Sequence, residues 1–98
     1  MSADRIIREE ARLIILRALS AEPRYSLNEA LLQAQLETFG IARSRAWIRE
    51  ELRRIEELGG VNITEAGSVY IATMTEKGRD HVERRLVIEG VKRPSPGA

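Results

Sequence analysis

The segment from Ile41 to Thr75 constrains the fold of this chain more than any other part of the sequence. Its first half has the apolar period of a helix that begins at Ser44 and ends before Gly59-Gly60. Two short runs rich in β-forming residues follow, at 61–63 and 69–73, with turn residues between them. This order predicts an amphipathic helix that leads directly into a β-hairpin. The residues expected to face the core from this helix are Ile48, Leu52, Ile55 and Leu58, with Trp47 at the edge.

The first helix, predicted over about residues 3–19 with Ser2 as its N-cap, carries apolar residues on two sides. At 100° per residue, one apolar stripe comprises Ile7, Ala11, Ile14, Ile15 and Ala18, and another side carries Ile6, Leu13 and Leu16. Two interpretations follow from this surplus. The helix forms a dimer interface, or it is a central helix that its own domain buries.

A second helix is predicted to begin at Ser26, because Ser26 and Glu29 have the spacing of a capping box. Gly40 supplies the left-handed residue that commonly ends a helix. Thr75 is expected to cap a short final helix. The expected apolar face of the second helix comprises Leu27, Ala30, Leu31 and Ala34.

Length and composition fit one globular domain, predicted over residues 1–88, with a flexible tail over residues 89–98. The hydrophobic fraction of 43% and the charged fraction of 32% are typical of a folded protein. Because the chain has no cysteine, a disulfide, a thiolate zinc site and a cysteine nucleophile are all excluded. No stretch of the sequence resembles a signal peptide or reaches the roughly 20 apolar residues that span a bilayer, so we expect a cytoplasmic protein without a membrane partner.

The complete predicted order is three helices, a two-stranded hairpin and a short final helix. Within it, residues 26–39 occupy the place of a positioning helix, 44–58 that of a recognition helix and 61–73 that of a wing. The run from Thr75 to Arg79 then has the threonine-x-x-glycine-arginine form that follows the wing in many bacterial regulators. Over about residues 4–86 the sequence therefore resembles the winged helix-turn-helix family, the MarR, ArsR and PadR-like groups. The resemblance implies a mainly α fold with a small β-hairpin as a two-stranded wing.

Three shorter motifs point more narrowly to phage proteins. They are Ala11–Leu16 in the first helix, Tyr25–Asn28 before the second, and Gly90–Pro94 near the end of the sequence. With these motifs the chain resembles a group of small winged-helix proteins from Mu-like prophages.

Arginines lie on the outer face of the helix that begins at Ser44. Arg45, Arg49 and Arg53 are spaced one turn apart, and Arg43 comes just before the helix. Arg53 has carboxylates three or four positions away, whereas Arg43, Arg45 and Arg49 have none at that spacing and are predicted to be uncompensated. Arginine pairs well with guanine or phosphate, and Ser44 can add a phosphate contact. The candidate DNA-binding residues are therefore Arg43, Ser44, Arg45, Arg49 and Arg53, and the alternative is a solvated basic face that binds nothing.

Two observations count against contact with DNA. The formal net charge is only +1, so any attraction must come from local clusters of arginine. The tip of the predicted wing carries Glu65 and no basic residue, whereas a DNA-binding wing usually offers lysine or arginine. An alternative role for this hairpin is to cover the core.

Residues for catalysis or metal binding are scarce. His81 is the only histidine, and we expect it to be a solvated surface residue. Without cysteine and with two aspartates, the chain assembles neither a catalytic triad nor a closed metal site. We therefore expect no enzymatic activity, no catalytic residue, no metal and no cofactor.

Two functional hypotheses follow. In the first, a homodimer formed through the first and last helices binds double-stranded DNA through Ser44–Leu58, as a transcriptional regulator or a phage accessory protein. In the second, the same fold is a protein-interaction module in a phage assembly or replication complex and does not bind DNA. The near-neutral charge and the acidic wing favour the second hypothesis.

Overall fold

The computed structural model describes residues 2–96, which form four helices and a three-stranded antiparallel sheet. In chain order the elements are α1 (Ala3–Ser20), β1 (Ser26–Asn28), α2 (Glu29–Thr38), α3 (Arg45–Glu57), β2 (Val61–Ala66), β3 (Val69–Met74) and α4 (Glu76–Val82). The sheet order is β1-β3-β2, so the last strand lies in the middle. The prediction of a two-stranded wing is wrong in its strand count, because β1 adds a third strand to the β2–β3 hairpin. None of the helices in this described part is long and apolar enough to cross a membrane.

α1 is the central helix of the core. The Ser2 side chain caps it by accepting a hydrogen bond from the backbone N–H of Arg5 at 3.2 Å. Both predicted apolar sides contribute to the buried set, which is Ala11, Leu13, Ile14, Ile15, Leu16 and Leu19. Burial by its own domain therefore accounts for most of the apolar surplus, although Ile6 remains exposed. The homodimer through the first and last helices stays a prediction.

The second helix begins two residues later than the sequence predicts, at Glu29. Residues Ser26–Asn28 form β1 and pair with β3, so they are not available for a helical first turn. Asn28 replaces Ser26 as the N-cap, since its side chain accepts from the backbone N–H of Leu31 at 2.9 Å. This shift changes the buried face, which comprises Glu29, Leu32 and Leu36. Apart from Leu27, the predicted apolar face is exposed: Ala30, Leu31 and Ala34.

α3 begins and faces inward as the sequence predicts. The Ser44 side chain accepts from the backbone N–H of Trp47 at 3.1 Å, which is an N-cap. Gly59 has φ +87°, a conformation that favours glycine and that turns the chain from the helix into β2. The fully buried residues of the helix include Ile48, Leu52 and Ile55, and Trp47 and Leu58 pack at the edge of the core.

The chain continues to pack after α4. Ile88 and Val91 are buried in the core, and the backbone N–H of Lys92 donates to the carbonyl of Glu9 at 3.2 Å. The domain boundary at residue 88 is therefore too early, and the predicted flexible tail is wrong for residues 89–92. The last two residues of that predicted tail, 97 and 98, and residue 1 of the predicted domain lie outside the described residues.

Candidate nucleic-acid interface

The N-terminal half of α3 carries the predicted basic residues on the flank next to α2 and the β2–β3 turn. Because Ser44 caps the helix, Arg45 and Arg49 follow one turn apart on this flank. The Arg45 side chain is 54% exposed and that of Arg49 is 32% exposed. The structure therefore brings these two predicted residues together at the surface.

A buried carboxylate lies beneath this flank. Glu29, the first residue of α2, is 2% exposed. Arg49 donates to it from Nε at 2.6 Å and from Nη2 at 2.8 Å, and Arg45 donates from Nη2 at 3.0 Å. The backbone N–H of Tyr70 is a fourth donor, at 2.7 Å. Three of these four hydrogen bonds go to Oε2 and one goes to Oε1.

The arginines keep Glu29 ionised. Hydrogen bonds from Arg49 and then from Arg45 hold the pKa of this carboxyl well below its ordinary value of 4.5, against the opposing effect of burial. The backbone hydrogen bond from Tyr70 acts in the same direction as the arginines. At neutral pH the site is therefore one buried negative charge shared by two guanidinium groups.

The prediction that Arg45 and Arg49 are uncompensated is wrong. No carboxylate lies three or four positions from them along α3, but Glu29 reaches them from α2, at separations of 16 and 20 residues. Reasoning from the spacing within one helix missed this partner. The sequence does hold one sign of this partner. Glu29, Leu32 and Leu36 lie at helical spacing on one face of α2, so a carboxylate falls in the buried stripe of that helix.

The same two arginines also hold the β2–β3 turn. Nη2 of Arg45 and Nη2 of Arg49 donate to the carbonyl oxygen of Ser68 at 2.9 and 2.6 Å. Together with Ala46, these residues line an open concavity of about 330 Å³. The turn is thus fixed against α3, and its backbone forms one wall of this depression.

Arg53 and Tyr70 extend the arrangement along the helix. The guanidinium carbons of Arg49 and Arg53 lie 4.2 and 4.7 Å from the centroid of the Tyr70 ring, within the range of cation–π contact. Nη2 of Arg53 also donates to the Tyr70 hydroxyl at 2.6 Å. Glu56 and Glu65 lie 3.5 and 3.6 Å from Arg53, so its charge is partly compensated, as its local spacing predicts for Glu56.

Arg43 precedes the helix and is exposed. Its guanidinium carbon lies 5.5 Å from the centroid of the Trp47 ring, and Nη1 donates to the carbonyl of Ala42 at 3.1 Å. Within residues 2–96 it forms no salt bridge. Arg43, Arg45 and Arg49 together bring three positive charges to this flank against the single charge of Glu29.

The most outward stripe of α3 is less basic than this flank. Its exposed residues, spaced four, three and four positions apart, are Ala46, Glu50, Arg53 and Glu57. Positive potential is therefore concentrated at the start of the helix on the side of the hairpin. The N-terminal end of the helix dipole adds to it.

His81 is a core residue, and its predicted place on the solvated surface is wrong. It is fully buried, and its Nδ1 accepts from the backbone N–H of Ile88 at 3.0 Å. Nε2 therefore carries the proton and donates to the carbonyl of Lys92 at 2.9 Å. Both ring nitrogens are thus used to fasten the segment after α4. No group of three or more metal-ligating side chains is placed to hold an ion among the described residues.

Two solved structures share this arrangement of helices and sheet. hsRosR-S1 superposes with a TM-score of 0.66 at 18% identity, over 87% of this chain and 69% of that chain. hsRosR-S4 superposes with a TM-score of 0.65 at 18% identity, over 87% of this chain and 67% of that chain. The likeness defines the protein as a small mixed α/β domain with the RosR fold.

Two sequence relatives are more similar to this chain in sequence than the two solved structures are. Protein gp26 of Escherichia phage Mu is 36% identical over 93 residues, which cover 95% of this chain and 96% of the relative. A protein of Haemophilus influenzae is 33% identical over 78 residues, or 79% of this chain and 76% of the relative. The chain belongs to the family of phage Mu gp26, which confirms the predicted resemblance to Mu-like phage proteins and supports a phage origin. No family model matches the sequence, so the resemblance to the MarR, ArsR and PadR-like groups stays a prediction.

Proposed function

We propose that this protein binds duplex DNA through the N-terminal half of α3, as a transcriptional regulator or a phage accessory protein. In this proposal the fold is a winged helix-turn-helix, with α2 as the positioning helix, α3 as the recognition helix and the β2–β3 hairpin as the wing. The observation that carries the proposal is the excess of positive charge at the exposed start of α3. Its support from the fold is the likeness to hsRosR-S1 and hsRosR-S4, which were solved as complexes.

The arginines of this flank differ in the donors that they have left for a ligand. Within residues 2–96 Arg45 uses only Nη2, so its Nε and Nη1 are each available as a single donor to a phosphate or a base. Arg43 uses Nη1 on a neighbouring carbonyl and keeps its other donors. The Ser44 hydroxyl accepts as the helix cap and retains its proton for a phosphate oxygen. These three residues form the proposed contact set, and Arg49 and Arg53 support it.

A homodimer is part of the proposal. Two copies on one duplex would place their α3 helices about 34 Å apart, one turn of the DNA helix, on a pseudo-palindromic site. Sedimentation of the protein with and without a duplex measures whether two copies associate.

The test compares Arg45→Ala with Arg85→Ala. The two side chains are matched, because each is 54% exposed and each is paired with a carboxylate, but Arg85 lies after α4 and pairs with Asp80. Fluorescence anisotropy on a random-sequence duplex, between about 50 and 200 mM salt, gives the affinity and its salt dependence. Arg45→Ala is expected to weaken binding about fivefold or more and to reduce the salt slope by about one. Arg85→Ala is expected to leave both unchanged, and equal affinities for all three proteins would contradict the proposal.

A second candidate is a protein-interaction module of a phage assembly or replication complex. The observation that favours it is an exposed and uncharged face on and just after α2, which includes Ala30, Leu31, Ala34, Gln35, Thr38 and Phe39. Apolar residues at a solvent-exposed face are typical of a contact surface. Under this candidate, Phe39→Ser abolishes self-association or partner binding while Arg45→Ala has no effect. Under DNA binding, Arg45→Ala weakens the affinity for duplex, whereas Phe39→Ser leaves that affinity unchanged.

A further inference from the structure

We propose that Glu29 limits which arginines at the start of α3 can engage DNA: it occupies the donor edge of Arg49, fixes the β2–β3 turn, and leaves Arg45 and the preceding Arg43 as the contacting residues. This inference rests on the proposed DNA binding and adds a positioning residue to it. Glu29 acts through the arginines and lies too deep to touch a ligand itself.

Arg49 turns its Nε and Nη2 inward to Glu29. These two nitrogens form the edge of the guanidinium that pairs with guanine O6 and N7 or with two phosphate oxygens. Nη2 is shared further with the carbonyl of Ser68. Nη2 of Arg45 is likewise taken by Glu29 and Ser68, so neither arginine offers this two-donor edge. Within residues 2–96, Arg45 keeps Nε and Nη1 as separate donors, whereas Arg49 keeps Nη1 alone. Two arginines one turn apart are therefore not equivalent toward a ligand.

Glu29 also fixes the position of the β2–β3 hairpin. Glu29 accepts from the backbone N–H of Tyr70 at the start of β3, while the arginines that it binds hold the carbonyl of Ser68 in the turn. One carboxylate thus joins the start of α2, the start of α3 and the β2–β3 turn. A glutamine at this position has one acceptor oxygen and an NH₂ group that would face other donors. Glu29→Gln therefore releases the turn as well as the arginines.

Glu29 also offsets part of the positive charge at the start of α3. Removing the negative charge of Glu29 leaves Arg43, Arg45 and Arg49 with no carboxylate beneath them. Binding to duplex of any sequence depends on how many phosphates the protein neutralises, and it strengthens as that number rises. We therefore expect Glu29→Gln to bind random duplex more tightly and with greater salt dependence. A glutamate needed only for folding would instead give weaker binding when lost, with no steeper slope.

The test measures binding of a random-sequence duplex between about 50 and 200 mM salt for the wild-type protein, Glu29→Gln and Glu89→Gln. Glu89 is an exposed carboxylate after α4, so its variant carries the same change in total charge. Glu29→Gln is expected to bind several-fold more tightly at low salt, with a slope steeper by about one, while Glu89→Gln matches the wild type. Amide exchange without DNA is a second measurement, in which the Tyr70 N–H of Glu29→Gln is expected to exchange several-fold faster.

A further pair of variants keeps the inference testable if Glu29→Gln fails to fold. Arg45→Ala is expected to lower the salt slope by about one, whereas Arg49→Ala, whose donor edge already faces inward, lowers it by clearly less. Equal effects of the two substitutions, or a Glu29→Gln variant with an unchanged or shallower slope, would overturn the inference while leaving DNA binding in place. Absence of binding by the wild-type protein at low salt would instead overturn the proposed function itself.

Discussion

Arg12 donates from Nε to Oε1 of Glu51 across 2.7 Å, and this ion pair joins α1 to the flank of α3 that faces it. Glu51 is 1% exposed and also accepts from Arg8. α3 is therefore held on two flanks in the same way. On each flank a buried glutamate, Glu51 or Glu29, accepts hydrogen bonds from two arginines. The first pair of arginines, Arg8 and Arg12, belongs to α1, and the second belongs to α3 itself.

Removing Glu51 is expected to destabilise the fold strongly. Glu51→Ala takes from Arg8 and Arg12 the buried carboxylate that they share, in a poorly solvated place, and we expect a loss of about 3 kcal/mol in the free energy of unfolding. Glu50→Ala is the matched control, because Glu50 contacts Arg8 at 3.1 Å but is exposed. Its loss is expected to stay within about 0.5 kcal/mol. Urea denaturation at neutral pH measures both, and equal losses would contradict the role given to Glu51.

The stability of the protein is expected to fall in acid partly through Glu29. Its pKa in the folded state lies below the ordinary value of 4.5, so the unfolded state binds more protons in acid. Its contribution is therefore complete above about pH 5 and is lost progressively as the pH falls below about 4.5 toward the folded-state pKa. The unfolding free energy of Glu29→Gln should change less than that of the wild type between about pH 5 and 2. Parallel curves for the two proteins would show that Glu29 does not titrate with folding.

His81 is expected to stabilise the segment after α4. His81→Ala leaves the N–H of Ile88 and the carbonyl of Lys92 without partners, which should cost about 2–4 kcal/mol in unfolding free energy. Exchange of the Lys92 amide, which is bonded to the carbonyl of Glu9, should accelerate more than exchange in α3. The exposed Glu83 provides a control in the neighbouring position, as Glu83→Ala. A variant in which all amides lose protection equally would show that the segment does not open by itself.

Gly78 is expected to be intolerant of any side chain. A Cβ there would lie 2.3 Å from the carbonyl oxygen of Gly60 and 2.9 Å from Cγ of Met74. Although alanine favours a helix by about 1 kcal/mol over glycine, the overlap with backbone should outweigh it and give a net loss of about 2 kcal/mol. Lys77→Ala, at an exposed site of the same helix, is the control. Thermal denaturation that ranks Gly78→Ala as stable as Lys77→Ala would contradict this packing.

Local signals predicted the elements that local contacts define. Ser44 caps α3, Thr75 caps α4 by accepting from Gly78, and Gly59 turns the chain into the hairpin. Each of these features involves residues that are only a few positions apart in the sequence. The core face of α3 could be read from its 3.6-residue period for the same reason. The threonine-x-x-glycine motif after the hairpin was also visible, although its need for glycine comes from Gly60, 18 positions earlier in the sequence.

The errors share a physical cause, since each depends on a distant part of the chain. Ser26 has the spacing of a helix cap, but pairing of β1 with β3 takes these residues into the sheet and moves the cap to Asn28. The partners of Arg45 and His81 likewise lie outside their own helices. For Glu29, the sequence shows a carboxylate in an apolar stripe, but only the fold shows that arginines from α3 come to meet it.

The bonds between α1 and the end of the domain set an order of events during synthesis. α1 leaves the ribosome before the rest of this domain, yet Arg12 donates to the carbonyl of Gly90, and the carbonyl of Glu9 accepts from the backbone N–H of Lys92. β1 also waits for β3, which is made more than forty residues later. Because so many native contacts join early residues to late ones, the nascent chain cannot close this core until the residues up to Lys92 have emerged.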